Sequence, residues 1–394
     1  MEQQSRIGRR QVLGMAGVLA GVGMLGSACA PSGAGGATGS TAPSAQASID
    51  ADFHLDALIA AAKKEGSLNV YDSSGDITNV AKGFAKKYGI DAVGTKSKSG
   101  DTLEKLSREH EADNVTIDVA LYDDGPTLVG QLLAQKVVMI WMPADLQDKI
   151  PEHEQNPLVV LNKADVFVYN DTVFPDDPPI SNLWELTTEK WRGRFSMQDP
   201  LGWPKGIQFF NQLTTGGPEK LADAYAEAFD SQLQTDEDNA AWEWIKRLAK
   251  NEPILTKSDE DSAAAVGAPN QKQPRLGLMA TSKFRDIDDK GYHLRVLEGL
   301  KPWPGLEYPK FAAIATKTKR PNAAKLFVHY VLTQKGIAPE IEEGGASSNT
   351  SNKPGPMPPG LKSFDPLFDF DSSRMDEDFT NAQKMQDFWR ANHG

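Results

Sequence analysis

Leu68-Asn69-Val70-Tyr71 followed by Asp72-Ser73-Ser74-Gly75 is a short apolar run that ends in a turn of small polar residues. Glu65-Gly66 bounds the run on its other side, so the spacing predicts a strand. Working upstream, Leu55, Leu58, Ile59 and Ala62 recur at helical spacing within Leu55 to Lys64. Downstream, Asp76 to Tyr88 reads as a helix with Val80, Phe84 and Tyr88 on one face, and Asp91 to Gly94 as the next strand. Ser99 then precedes a helix over Thr102 to Glu111, which turns Leu103 and Leu106 inward, and Thr116 to Leu121 is a third strand. Strands alternating with helices predict an α/β protein with parallel pairing and right-handed crossovers.

The alternation loosens after a further helix over Gly125 to Gln135, with Leu128, Leu132 and Leu133 facing in. Leu158 to Leu161 and Val166 to Tyr169 read as two strands, separated by Asn162-Lys163-Ala164-Asp165, in a region suited to a crossing between lobes. Leu221 to Lys250 is mostly helical, and Trp242, Ile245, Leu248 and Ala249 form a core stripe near its end. Arg275 to Ala280 and Phe311 to Ala315 are further strands. Asn322 to Leu332 is a helix with Pro321 at its start. There is no internal repeat.

The chain has 394 residues, a formal net charge of −12 and one cysteine. An acidic balance argues against a nucleic-acid partner, which needs a basic face. A single cysteine excludes an internal disulfide and a cysteine-based metal cage. The six histidines offer no zinc-type spacing. Neither a metal site nor a cofactor is expected.

That cysteine stands at a telling place. Arg6, Arg9 and Arg10 precede an uncharged run from Val12 to Ala28, the layout of an export signal. The run is short and rich in Gly and Ala for a membrane span, which needs ~20 strongly apolar residues. Gly8-Arg9-Arg10-Gln11-Val12-Leu13 resembles the twin-arginine export motif, with Gly8 and Val12 where Ser and Phe are usual. Gly26-Ser27-Ala28-Cys29 resembles a lipobox whose Leu is displaced to Leu25. Residues 1–28 are therefore expected to be a signal peptide and Cys29 a lipidation site. The Ser-, Gly- and Ala-rich stretch over 29–50 is expected to be a flexible tether with a root-mean-square span of ~25 Å.

Two loops follow predicted strands. Ser73-Ser74-Gly75 opens one helix, and Ser97-Lys98-Ser99-Gly100-Asp101 opens the next. Ligands of open parallel sheets collect at the carboxyl ends of strands, near helix N-termini. The same residue types also cap helices with nothing bound. Neither loop is a nucleotide-hydrolase loop. No Gly-x-Ser-x-Gly or His-Glu-x-x-His occurs, and the run Asp259-Glu260-Asp261 reads as solvated charge. No catalytic residue is expected; a secreted hydrolase and a purely structural lipoprotein are the competing classes.

Several pieces, in order from about 55 to 340, resemble the extracellular solute-binding proteins of ABC importers, in the family that includes ferric-iron, phosphonate and sugar-phosphate binders. They include Ala60-Ala61-Ala62-Lys63-Lys64-Glu65-Gly66, Phe84-Ala85-Lys86-Lys87-Tyr88-Gly89, Asn182-Leu183-Trp184-Glu185-Leu186, Lys190-Trp191-Arg192-Gly193-Arg194 with Asp199-Pro200, and Thr316-Lys317-Thr318-Lys319-Arg320-Pro321. The resemblance implies two α/β lobes, 51–165 with about 309–394 and 166–308, closing by hinge motion on a solute in the cleft. It implies a monomer that hands the solute to permease subunits and is held to a membrane by its lipid.

Family members that bind ferric iron use adjacent tyrosines after a late strand. Here that stretch is Ala280-Thr281-Ser282-Lys283-Phe284-Arg285, and no Tyr-Tyr pair occurs in the chain. A small anionic organic solute is expected instead (phosphonate, phosphorylated sugar or carboxylate), with ferric iron as the alternative. The expected ligand-side residues are Ser73, Ser74, Gly75, Ser99, Gly100, Asp123, Trp203, Ser282, Lys283, Arg285 and Tyr308, with Glu307-Tyr308 placed just before the returning strand.

Overall fold

The computed structural model describes residues 47–394 apart from Ala51 and Glu343. The signal peptide, Cys29 and most of the tether lie outside the described residues. Its first lobe opens with helix α1 (Leu55–Glu65), strand β1 (Ser67–Asp72), α2 (Ile77–Tyr88), β2 (Asp91–Lys96), α3 (Ser99–Glu111) and β3 (Val119–Tyr122). The strand–helix alternation read from the sequence is present, with ends moved by a few residues. Gly66, at φ 76°, ends α1 in the left-handed region, where a side chain would be strained. β1 pairs in parallel with β2 on one side and β3 on the other. α2 buries Ile77, Val80, Ala81, Phe84 and Tyr88. The helix expected over Gly125 to Gln135 is a short α turn, Gly125–Thr127, continued as a wider turn of π type over Leu128–Leu133.

Where two strands were expected, the chain makes one, β4 (Val159–Tyr169). Its polar centre does not interrupt it. Asn162 and Lys163 pair through the backbone with Pro309 and Tyr308, and Lys163 Nζ meets Glu340 inside the protein. After β4 come β5 (Phe195–Gln198), α4 (Pro204–Gly216), α5 (Pro218–Phe229), α6 (Ala240–Lys250), β6 (Ile254–Thr256), α7 (Asp259–Gly267) and β7 (Leu276–Ala280). The mostly helical stretch ending at Lys250 is thus two helices. Asp230, at φ 49°, closes the first, and the Asn239 side chain caps the second through the amides of Ala241 and Trp242.

β8 (Gly305–Ala315) returns the chain and starts well before the expected Phe311, so Tyr308 lies within the strand and not ahead of it. α8 (Pro321–Val331), α9 (Gln334–Ile341) and α10 (Met375–Asn392) complete the protein.

One sheet runs through both lobes in the order β2-β1-β3-β8-β4-β7-β5-β6. β8 is antiparallel to both β3 and β4, and β4 is antiparallel to β7. The two crossing strands therefore serve more than one core. Val159 and Leu161 of β4 and Phe311 and Ala313 of β8 belong to the first core. Phe167 and Leu306 belong to the second, with Trp184, Phe210 and Trp244. Val166 and Val168 lie in a smaller third core with Met279 and Val296.

Two termini depart from expectation. Ser48–Ile49, counted with the tether, pair in parallel with Trp141–Met142. α10 falls in the 309–394 span assigned to the first lobe, yet it sets Met385 and Trp389 in the second core, and Trp389 stacks on Phe210 at 5.4 Å. Among the described residues no helix is long and apolar enough to cross a membrane.

Candidate functional site

β1 and β3 are parallel neighbours, so their carboxyl ends open on the same side of the sheet. There the loop Ser73-Ser74-Gly75, the first turn of α3 with Ser99 and Gly100, and Asp123 just after β3 border a cavity of about 410 Å³. The opposite wall brings Trp203 and Lys205 from the start of α4, the first turn of α7, and Ser282, Lys283 and Arg285 from the 3-10 turn after β7. Tyr308, Lys163 and Lys310 from the crossing strands complete the lining. Every residue expected from the sequence thus borders this one cavity.

The wall of α2 and α3 is organised around Asp123. This buried carboxylate accepts the hydroxyl of Ser73 at 2.7 Å and that of Ser99. Desolvation pushes against its charge, but Lys205, Lys310 and the two hydroxyls hold it below the ordinary carboxylate range. Ser74 Oγ donates to Asp76 Oδ2 at 2.6 Å, and its amide donates to Asp72 Oδ1 at 3.0 Å. The three serine hydroxyls, read from the sequence as donors to an anion, have therefore given their hydrogens to carboxylates. A serine oxygen so engaged can still accept a hydrogen bond.

On the other wall, Lys283 Nζ donates to Glu260 Oε1 at 2.6 Å. Glu260 stays ionised down to about 2 despite desolvation, because Lys283 bonds and faces it. This corrects the reading of Asp259-Glu260-Asp261 as a solvated run. Ser258 caps α7 through Asp261, while Asp259 and Glu260 turn to the cavity. Burial raises the Asp259 carboxyl. Two ion pairs span the walls, Arg285 Nη1 to Asp76 Oδ1 at 3.8 Å and Lys96 Nζ to Glu260 Oε1 at 4.0 Å. Trp203 caps α4 and keeps its ring against the helix. A Cβ on Gly206 would lie 2.2 Å from Trp203 Cε3, so only glycine admits the indole there.

The cavity floor is ionic. Lys163 stands opposite Tyr308 in the β4–β8 ladder. Its ammonium meets Glu340 Oε2 at 2.7 Å, and the same oxygen lies 3.4 Å from Lys310 Nζ, which also binds Asp72. Against the cost of burial, the two lysines hold Glu340 at about 2, whereas burial lifts Asp72 to about 7. Lys205 lies 3.6 Å from the centroid of the Tyr308 ring and 3.6 Å from Asp165 Oδ2.

Lys163, Lys205 and Lys310 were missed in the sequence. The available signal was a lysine inside an apolar strand, and a lysine in the first turn of a helix, where the macrodipole disfavours it. The cationic lining is Lys96, Lys98, Lys163, Lys205, Lys257, Lys283, Lys310 and Arg285, against Asp101, Asp123, Asp259 and Glu260. Among the described residues no three His, Cys, Asp or Glu side chains gather as metal ligands.

Residues 79–354 match the family described as bacterial extracellular solute-binding protein. No curated protein matches the chain. Among solved structures, iron-bound HitA from Pseudomonas aeruginosa superposes with a TM-score of 0.61 at 19% identity, covering 82% of this chain and 98% of that one. AfuA from Actinobacillus pleuropneumoniae, with fructose-6-phosphate bound, gives 0.60 at 19% identity, covering 83% and 98%. The substrate-binding protein of an ABC transporter from Agrobacterium tumefaciens gives 0.62 at 13% identity, covering 83% and 94%. At such identities the likeness is one of fold, the two-lobed architecture of periplasmic binding proteins.

Proposed function

We propose, for a chain that belongs to the bacterial extracellular solute-binding protein family, that it captures a small anionic organic solute in the cleft and delivers it to the permease subunits of an ABC importer. The solute class is a phosphonate, a phosphorylated sugar or a carboxylate. Its capture closes the lobes about β4 and β8, the strands that run through both. The observation that carries the reading is the cationic lining, with Lys205 and Lys283 deep in the cleft. A ferric ion would meet those same charges, and the cavity's one lining tyrosine, Tyr308, has its face occupied by Lys205. The chain works as a monomer, tethered through a lipid on Cys29.

A thermal-shift screen over phosphonates, phosphorylated sugars, carboxylates, neutral sugars and ferric iron tests the reading. Binding stabilises by RT ln(1 + [L]/Kd), ~2.7 kcal/mol at a hundredfold excess over Kd. A shift with an anion is expected. A shift with only a neutral sugar or only ferric iron overturns the anionic reading and leaves the family standing.

A further inference from the structure

The two walls of the cleft commit their hydrogen-bond donors differently. On the α2–α3 wall, Ser73 and Ser99 donate to Asp123, and Ser74 donates to Asp76. What the side chains of this wall have left for a ligand is acceptor capacity: serine lone pairs, and a carboxylate that can take more than one hydrogen per oxygen. Lys96 and Lys98, on the same side, are exposed at the rim, where water screens them.

The opposite wall is open to an acceptor. The Lys205 side chain is only 13% exposed, and its nearest carboxylate oxygen, on Asp165, lies at 3.6 Å, too far for a hydrogen bond. Neither Asp165 oxygen accepts a hydrogen bond, so that carboxylate acts on Lys205 through charge at a distance and leaves the ammonium hydrogens unspent. Lys283 spends one of its three ammonium hydrogens on Glu260. Among the described residues Lys257 enters no ion pair, and the Ser282 hydroxyl has no acceptor.

Resting on the anionic-solute reading above, we propose that the solute is polarised and binds in one direction. Its anionic group sits against Lys205, Lys283 and Ser282. Hydroxyl or ammonium hydrogens at its other end are received by Ser73, Ser99 and Asp123.

The energetics favour this direction over its reverse. A buried ammonium that makes no hydrogen bond is costly, and an anionic oxygen supplies a charge-assisted bond where Asp165, Asp123 and Asp259 act through charge alone. The reversed solute would place its anionic oxygens against the lone pairs of Asp123 and leave Lys205 unfilled. The volume suits a molecule with two distinct ends. At ~30 Å³ per water in the liquid, about 410 Å³ is far more than one inorganic anion needs.

The test uses paired probes that differ only in the donor end, measured by calorimetry and competition. They are glycerol 3-phosphate with propyl phosphate, phosphoethanolamine with ethyl phosphate, and glycerate with propionate. In at least one pair the donor-bearing member should bind at least about tenfold more tightly, the weight of a hydrogen bond to a charged acceptor. Lys205→Met should weaken both members at least about tenfold, while Lys205→Arg, which keeps the charge, retains binding. Ser73→Ala with Ser99→Ala should weaken the donor-bearing member more than its bare partner, so that the preference within the pair falls. Equal binding within every pair overturns the proposal. So does a serine double variant that loses the bare anion while Lys205→Met keeps it. Silence from every anion overturns the anionic reading itself, and this inference with it.

Discussion

The Lys205 ammonium lies 3.6 Å from the centroid of the Tyr308 ring, so a residue at the start of α4 rests on a residue of the crossing strand β8. The contact joins the wall of the cleft to its floor. It also positions a charge that desolvation opposes but that Asp165, Tyr308 and Asp123 raise above the ordinary lysine range. If the ring face does the positioning, Tyr308→Phe should keep anion affinity within about threefold, whereas Tyr308→Leu should lose about tenfold, from a cation–π contact of ~1–2 kcal/mol. Titration calorimetry with the anion found by screening decides. A Phe variant as weak as the Leu variant would assign the role to the hydroxyl.

Ser73 and Ser99 could be found because strand–loop–helix spacing marks the carboxyl edge of a parallel sheet, where loops converge. Asp123 came instead from the family resemblance, which puts a cleft loop after the third strand. Their chemistry was less legible. Nothing local says that Ser99 bonds Asp123 across 24 residues, because that contact exists only once β1 and β3 are neighbours. The floor was hidden for the same reason. Lys163 reads as a break between two apolar runs until Glu340, far along the chain, is known to lie against it at 2.7 Å. Lys310 likewise owes its burial to Asp72 and Glu340. The last helix was unreadable in a different way. Met375 and Trp389 of one amphipathic segment serve different cores, and periodicity cannot say which face meets which lobe.

Glu340 serves both floor lysines, and all three side chains are nearly inaccessible. Removing its charge takes from two buried ammonium groups the one carboxylate that meets them both. Glu340→Gln should destabilise by about 3–5 kcal/mol at pH 7, the usual cost of breaking a buried pair on one side. Since the folded carboxyl titrates at about 2 against an ordinary 4.5, its contribution is present above pH 4.5 and is lost as pH falls toward 2. The gap between wild type and variant, measured by denaturant unfolding, should therefore narrow below pH 4.5. A gap that is constant with pH would mean that packing, not charge, is what Gln fails to replace.

Export and anchoring rest on residues outside the described part, and each has its own readout. On the proposed lipid anchor, Cys29→Ser should leave the exported chain in the soluble fraction, because acyl chains on that cysteine would be what holds it to the membrane. Arg9→Lys with Arg10→Lys should block export if the twin-arginine machinery is used, since it reads the pair and not the charge alone. Fractionation and signal cleavage report both. Membrane retention of a cleaved Cys29→Ser chain would refute the anchor, and normal export of the double-lysine chain would point to the general secretory route.

Glu307 neighbours Tyr308 in β8 but belongs to a different environment, near Asp369 and Glu154. Burial first, and then these two carboxylates, raise it from an ordinary 4.5 to about 8. A raised acid has the opposite pH signature to Glu340. Below pH 4.5 it is protonated whether folded or unfolded, so it carries no penalty. As pH rises toward 8 the unfolded chain ionises while the folded one resists, and stability falls across that window. Glu307→Gln, which keeps the shape and removes the charge, should therefore stabilise at pH 8 by an amount on the order of 2 kcal/mol, less than the full shift implies because the side chain keeps some solvent. The gain should shrink to nothing near pH 4.5. Melting temperatures of wild type and variant across that range test it. A variant that is less stable at pH 8 would show that the Glu307 carboxylate has a favourable partner in the folded protein.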